Sequence, residues 1–415
     1  MKLAGTVKKI IVGALRPFPA LRRVARSVSV AFRKYQYQSI AKRVDVEPDT
    51  IIFESFMGRG FNDNPKAIYE EMLSNKKYAN CRFIWAFKEN KKNIDSLQLP
   101  RAELVSVGSR AYYQAYARAS VWVSNSRLPE QLQPKEDQRY IQTWHGTTLK
   151  KLGYDIAVRG KNAMNTKREL RKKYSVDAER YFALVSPSPY MTAIYQSSFN
   201  LQKHPQAQIW ETGYPRNDRL VNATKSEIAE LKKKLELPAD KKIVLYAPTW
   251  RDDQHAVGVG YTYETELDFG LLREKLSDEY VILFRAHYFI ANSFDFMKYD
   301  GFVRDVSRVD DINDLFLVAD LLITDYSSVL FDYAILQRPV VLYMYDLMDY
   351  RNNMRGFYLD ITQDLPGPIT ETSKDVVEAI KSATVDPQDF ERFNQRFNPY
   401  EDGKSAMRAA ERIWS

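Results

Sequence analysis

The sequence predicts an α/β protein built from two doubly wound parallel-sheet domains in succession, preceded by a basic amphipathic helical segment. Three observations predict it. After about residue 45, short β-branched and aromatic runs alternate with helical stretches, the pattern of a parallel sheet covered on both faces. That alternation stops at a lysine-rich helix, "KSEIAELKKKLEL", and then restarts. The first 44 residues hold eleven Lys/Arg and no acid, leaving 50 basic against 53 acidic residues in a nearly neutral body. At 415 residues, 45% of them apolar, the chain is long enough for two or three domains with their own cores. Cys81 is its only cysteine, which rules out an intrachain disulfide and suits a reducing compartment.

Taken in order, residues 1–44 form a unit of their own. Leu21, Val24, Val28, Phe32 and Tyr35 recur at helical spacing, with Arg22, Arg23, Arg26, Arg33 and Lys34 around them. This describes an interfacial helix. The apolar run Ile10 to Leu15 is far shorter than the roughly 20 residues needed to span a bilayer, and Pro17 and Pro19 interrupt it. No apolar centre and cleavage site of a signal peptide is convincing. The segment is expected to lie on an anionic membrane surface, each basic residue near the lipid heads adding about 1 kcal/mol. Nucleic acid and plain solvent are the alternative surroundings.

The first domain, 45–222, follows with strands read in "TIIFESF", "RFIWAF", "LVSVG", "SVWVSN", "RYIQTW", "YFALVS" and "IWETGY", and helices in "NPKAIYEEMLSN" and "SRAYYQAYARA". The second, 223–395, repeats the alternation in "KIVLYAPTW", "YVILFRAH", "GFVRDVS", "LLITDYS" and "PVVLYMYD". The stretch within 396–415, "YEDGKSAMRAAERIWS", reads as a final helix.

In open α/β sheets, ligands collect beyond the carboxyl ends of strands. That rule selects His145 after "YIQTW", Thr249, Trp250 and Arg251 with Asp252 and Asp253 after "IVLYAP", His287 after "VILFRA", and Asp325, Ser327 and Ser328 after "LLIT". The competing reading of His145 is a packed core histidine. Two of the four histidines at strand ends of consecutive domains can face one cleft, which favours function; His204 and His255 sit in polar loop contexts. In "LLITDYSSVLFDYAILQRPVVLYMYD" the strand ends at Thr324, and Asp325, Ser327 and Ser328 are expected to open a helix whose first N–H groups can bind a phosphate. Capping of that helix by Ser327 is the simpler reading. There is no P-loop and no GxGxxG opening a helix, against an ATPase or a nicotinamide enzyme. No CxxC, HExxH or other cluster stands at metal-ligand spacing, so no metal is expected, and Asp252 and Asp253 read as structural or substrate hydrogen-bonding groups.

The motifs "WHGTTLKKLGYD", "GYPRND", "YAPTWRDD", "FRAHYFI", "TDYSSVLFDYAILQRPVVLYMYD" and "GFYLDITQDLPGPI" resemble, in order over about residues 50–370, those of the CDP-glycerol glycerophosphotransferases. These are the teichoic acid primases and polymerases of Gram-positive bacteria, with their CDP-ribitol counterparts. The resemblance implies a GT-B-like pair of Rossmann domains facing a cleft, the first holding the acceptor and the second the nucleotide. It implies a CDP-glycerol or CDP-ribitol donor, an undecaprenyl-linked acceptor at the cytoplasmic face of the cell membrane, no cofactor and no nucleic-acid partner; a homo-oligomer stays open. His145 and His287 match the motif histidines; His145 is the candidate base and His287 the candidate phosphate stabiliser, with Arg285 or Arg251 as candidate helpers, and which of the two histidines is the base stays open. Thr324 to Ser328 match the segment associated with the donor pyrophosphate. Gly146, Thr147, Arg216, Asn217, Thr249 and Trp250 are the further substrate-binding candidates, and Lys150 and Lys151 the candidate guides for an anionic acceptor. The departure is Thr148, where a proline commonly stands. A GT-B glycosyltransferase using a nucleotide-sugar is the alternative enzyme, and a membrane-docked scaffold with an inactive transferase body the alternative of another class.

Overall fold

The computed structural model describes residues 19–88, 98–156, 167–249, 255–256, 260–261, 265–286, 294–348 and 356–415, with side chains from residue 27 onward except at 167, 255–256 and 260–261. Seven parallel strands make the first sheet: β1 (Glu47–Glu54), β2 (Arg82–Phe87), β3 (Ala102–Ser106), β4 (Ala119–Ser124), β5 (Arg139–Gln142), β6 (Ala183–Ser186) and β7 (Gln208–Glu211). Their order across the sheet is β3-β2-β1-β4-β5-β6-β7. Side chains alternate between faces along each strand, so Ile51 and Phe53 enter one core and Ile52 the core on the opposite face. Both faces are apolar because helices cover both, which is why these strands read as unbroken apolar runs.

The second sheet begins at β8 (Lys242–Ala247). A two-residue antiparallel pair, β9 (His255–Ala256) and β10 (Gly260–Tyr261), stands apart from it. The sheet continues with β11 (Tyr280–Phe284), β12 (Val303–Asp305), β13 (Leu321–Thr324), β14 (Val340–Tyr343) and β15 (Ile369–Thr370), in the order β12-β11-β8-β13-β14-β15. Again Ile243 and Leu245 face one core, and Val244 and Tyr246 the other. The two α/β halves face a common cleft, the GT-B-like arrangement that the sequence implies.

Each sheet reverses its strand order at one place, between β1 and β4 in the first and between β8 and β13 in the second. A crevice opens at such a point beyond the strand ends. The short strands β9, β10 and β15 are two residues each, too short to leave a periodic signal. The helix expected to open at Asp325 begins only at Val329, runs to Tyr333 and continues as a single tighter turn, Ala334–Leu336.

Two further helices tie sequence to placement. The helix Pro19–Ala41 leaves Val28, Phe32 and Tyr35 about 60–70% exposed, whereas Tyr37 is buried against Tyr113 of the first domain. The final helix, Ser405–Arg412, returns to the first domain, where Ala409, Ala410 and Ile413 join its core and Arg139 donates to the Ile413 carbonyl at 2.7 Å.

Candidate active site

The two reversal points face each other across a cleft of about 740 Å³. That lies within the roughly 300–1,000 Å³ typical of small-molecule sites. Its walls bring together His145, Gly146 and Thr147 from the first domain, Thr249, Arg285, Ser327 and Ser328 from the second, and Arg216 from the connection between them.

His145 follows β5 by three residues, after a turn in which Trp144 takes a left-handed φ of 52°. Its ring stacks on Trp144, with centroids 4.5 Å apart, and meets Phe56 edge-on at 5.7 Å. Nδ1 lies 2.7 Å from the Asn125 carbonyl. A carbonyl only accepts, so Nδ1 carries the proton in that bond and Nε2 is the acceptor. The ring keeps an open edge on the cleft, yet protein surrounds the cleft, and that desolvation pushes the imidazole's proton affinity below its ordinary value. The Asn125 carbonyl and Asp63 act the other way, while the guanidinium groups of Arg216 and Arg127 add to the lowering. The group is therefore a neutral imidazole near pH 7, with a lone pair to offer.

Gly146 marks a close approach of the two domains. At its φ of 156°, a Cβ would stand 2.8 Å from the Ser328 hydroxyl and 2.9 Å from the Ser328 Cβ. Only a residue without a side chain lets the His145 turn approach the start of the second domain's helix this closely. Thr147 is almost fully buried, and its hydroxyl has no hydrogen-bond partner among the described residues.

On the opposite wall, the Thr249 amide donates to Asp325 at 2.8 Å, and the Thr324 hydroxyl donates to the Ala247 carbonyl at 2.8 Å. These two bonds pin the ends of β8 and β13 together, and both Thr324 and Asp325 lie behind the cleft surface rather than on it. Ser327 and Ser328 form the surface in front of them, Ser328 as the residue directly before Val329–Tyr333, whose first amide reaches the Ser327 hydroxyl at 3.5 Å. Arg285 follows β11, and one of its nitrogens donates to the carbonyls of Val309, at 2.7 Å, and Val306, at 3.4 Å. It forms no ion pair with a described carboxylate; burial lowers its proton affinity, partly offset by Asp311 and Asp310. Trp250, Arg251 and His287 lie outside the described residues, as do Asp252 and Asp253.

Arg216 and Asn217, expected on sequence to touch substrate, are engaged by protein. Arg216 spans the two domains, bonding to Asp63 at 3.1 Å on one side and to both oxygens of Asp332 at 3.0 and 2.7 Å on the other. Asn217 donates to the same Asp332 carboxylate at 3.1 Å. Burial disfavours the Arg216 charge, but Asp332 and Asp63 more than offset it and hold its proton affinity above the ordinary arginine value. Lys66 to Asp311 at 3.0 Å and Arg219 to Asp314 at 2.6 Å add further links across the same seam. Lys150 lines the cleft and forms an isolated bridge with Phe357 of the second domain, and the Lys151 amide donates to the Gly356 carbonyl at 3.0 Å.

Phe56, Arg59 and Asn62, from the loop after β1, line the cleft without having been selected from the sequence. The signal was available: "SFMGRGFN" follows the carboxyl end of a strand, as His145 does, and Phe56, Met57 and Gly58 all take left-handed φ values.

Residues 36–415 match the family described as CDP-Glycerol:Poly(glycerophosphate) glycerophosphotransferase. The chain belongs to this family. Similar members include the teichoic acid poly(glycerol phosphate) polymerase of Staphylococcus epidermidis, 42% identical over 378 residues. That alignment takes in 89% of this chain but only 51% of the relative, so the chain spans about half that polymerase's length. The teichoic acid glycerol-phosphate transferase of Staphylococcus aureus is 39% identical over 373 residues, 88% of this chain and 92% of the relative. Among solved structures of the family, the wall teichoic acid polymerase TagF superposes with a TM-score of 0.82 at 41% identity, covering 95% of this chain and 96% of that one.

Proposed function

We propose that this chain moves an alditol phosphate from a CDP-alditol to a hydroxyl of a lipid-linked acceptor or growing teichoic acid polymer, releasing CMP. The observation that carries the reading is the His145 imidazole, its Nδ1–H fixed on the Asn125 carbonyl and its Nε2 free to accept, standing after β5 beside one sheet's reversal point with Ser328 of the other domain against the next residue. The relatives named above act in glycerol phosphate polymers, which favours CDP-glycerol over CDP-ribitol as the donor.

In the proposed reaction the acceptor hydroxyl attacks the distal phosphorus of the donor. A phosphodiester forms, the bond to CMP breaks, and His145 Nε2 takes the hydroxyl's proton. Phosphoryl transfer asks a protein mainly for alignment and for charge stabilisation on the phosphate oxygens. Arg285, Ser327 and Ser328 line the wall where the pyrophosphate would lie, with His287 and Arg251 as further candidates on the same domain. Arg216 and Asn217 act in this reading by holding the two domains in register.

The N-terminal helix supplies the location. Among the described residues no helix is long and apolar enough to cross a membrane. At about 100° per residue, Val28, Phe32 and Tyr35 fall on one stripe of this helix, and Arg33 and Lys34 on the opposite side. The exposed Val28, Phe32 and Tyr35 would enter an anionic leaflet while the basic groups reach its phosphates, placing the enzyme peripherally on the membrane that carries its acceptor.

Incubating the purified protein with CDP-glycerol and CDP-ribitol separately, with an undecaprenyl-linked disaccharide as acceptor, tests the reaction by CMP release and product mass. His145→Ala is expected to reduce transfer by about 10²–10⁴-fold, the usual cost of losing a general base, with donor affinity little changed. A loss below tenfold would leave His145 as a packing residue. Sugar transfer from a UDP- or GDP-sugar would replace the reading with a glycosyltransferase.

A further inference from the structure

The turn that presents His145 has an unusual support. β5 ends at Gln142, so the backbone of Trp144 lies beyond the strand ladder, and its φ of 52° is one that a bulky aromatic residue rarely adopts. A conformation of that kind persists only where its surroundings over-determine it. Here they do so through side chains. The Trp144 N–H donates to Gln142 Oε1 at 2.9 Å, and the Trp144 carbonyl accepts from Asn64 Nδ2 at 3.1 Å and from the Thr143 hydroxyl at 3.2 Å. Asn64 Nδ2 also reaches the Thr143 carbonyl at 3.3 Å.

Both amides are themselves immobilised. Gln142 and Asn64 are fully buried. Gln142 Nε2 donates to the Ser126 carbonyl at 3.2 Å and to the Tyr140 hydroxyl at 3.0 Å, while Asn64 Oδ1 accepts from the Arg216 amide at 3.1 Å. Neither residue lines the cleft.

We infer that Asn64 and Gln142 are positioning residues for His145, two buried amides that clamp the Trp144 turn from either side and so fix where Nε2 stands in the cleft. The inference rests on the reading of His145 as the base. It adds a physical reason for a glutamine inside a strand and an asparagine at the start of a helix, where apolar residues would pack as well. Loss of either amide leaves a Trp144 backbone group without that partner in the interior, and the turn relaxes to satisfy it. The ring then leaves the Asn125 carbonyl and the Trp144 face that orient it. Displacing a reacting group by about 1 Å is enough to cost on the order of 10²-fold in rate.

Asn64→Ala and Gln142→Met, made in the full chain, test this in two ways. With CDP-glycerol and the lipid-linked acceptor, kcat is expected to fall by about 10²-fold, with the KM for CDP-glycerol within about threefold of wild type. Histidine-ring NMR gives a readout independent of turnover, because there are only four histidines and the His145 signal is identified by its loss in His145→Gln. Its titration midpoint is expected to rise towards the ordinary histidine value in both variants, as the ring leaves the enclosed position facing Asp63, Arg216 and Arg127. Wild-type kcat, or an unmoved His145 midpoint in both variants, would overturn the inference. So would loss of the circular dichroism of the fold in both, which would make the amides builders of the domain rather than of this turn. If His145→Ala itself keeps more than a tenth of the activity, the base reading fails, and the NMR midpoint still judges the clamp.

Discussion

Replacing Arg216 by Met removes a cation that holds two buried carboxylates. The side chains of Asp332 and Asp63 are only 6% and 9% exposed, and Arg216 supplies three charge-assisted hydrogen bonds to them at 2.7–3.1 Å. Breaking a buried pair by deleting one partner typically costs about 3–5 kcal/mol, because the remaining charge is left uncompensated. The expected loss sits at the upper end of that range, since two carboxylates lose the same partner; the Asn217 amide still serves Asp332, and Asn64 N–H still serves Asp63 at 2.8 Å. Burial already raises the Asp332 carboxyl above its ordinary proton affinity, with Arg216 opposing. Without Arg216 it rises further, so the folded variant takes up a proton that the unfolded chain does not. Stability of the variant should therefore recover as pH falls and decline as pH rises through the folded value. Urea denaturation at a series of pH values, following tryptophan fluorescence, measures both effects. Introducing Asp332→Leu beside Arg216→Met should recover part of the loss, because it removes one of the two stranded charges. A destabilisation below 1 kcal/mol for Arg216→Met, or one that deepens as the pH is lowered from 7 to 5, would refute the clamp.

Other perturbations probe separate parts of the molecule. Burial raises the Glu54 carboxyl to about 7 despite hydrogen bonding from Tyr116, so in the folded state it is neutral where the unfolded chain is ionised. The stability cost grows as pH rises from the unfolded value towards the folded one and reaches roughly 3 kcal/mol, since each tenfold change in proton affinity is worth about 1.4 kcal/mol. Glu54→Gln should flatten that decline when melting is compared at pH 5 and pH 8. Gly146→Ala puts a methyl group within 3 Å of Ser328 and should lower kcat/KM at least tenfold with the fold intact by circular dichroism; wild-type kinetics would mean that the domains need not approach so closely. Replacing Val28, Phe32 and Tyr35 together by Ser should release the protein from anionic liposomes without lowering its melting temperature, since all three are exposed; undiminished binding in a sedimentation assay would place the membrane contact elsewhere. Truncation is better made before Tyr37 than after residue 44, because Tyr37, Ile40, Ala41 and Val44 pack on the first domain.

The strands were legible because burial on both faces writes itself into the sequence as runs such as "RFIWAF" and "KIVLYA". His145 and Ser328 were legible because each follows the carboxyl end of such a run. What surrounds them was not. Asn64 acts on Thr143, 79 residues away, and Arg216 finds Asp332 at a separation of 116; no local pattern announces a contact of that span. The same distance hides the interdomain bonds of Arg216 and Asn217: a local motif names them as substrate candidates, and only the fold brings the Asp332 carboxylate of the other domain to them. The helix expected to open at Asp325 starts only at Val329, and its turn tightens after Tyr333 and ends at Gln337, φ 50°.

The return of the final helix to the first domain means that the chain crosses between the halves twice. The two crossings are stitched together: the Tyr214 amide donates to Glu401 at 2.8 Å, Asn222 to the Gly403 carbonyl at 2.8 Å, and Asp218 accepts from the amides of Ser405 and Ala406 at 2.8 and 2.7 Å. One connecting strand would be a leash, on which a half can swivel, slide and twist. Two strands fastened side by side make a pin, and a pin leaves a single arc of travel. Two crossings bonded in this way restrict how one half can shift against the other, and so favour a single register between the strained turn holding the imidazole and the serine helix start opposite. The joinery behind the cleft thereby guards its alignment.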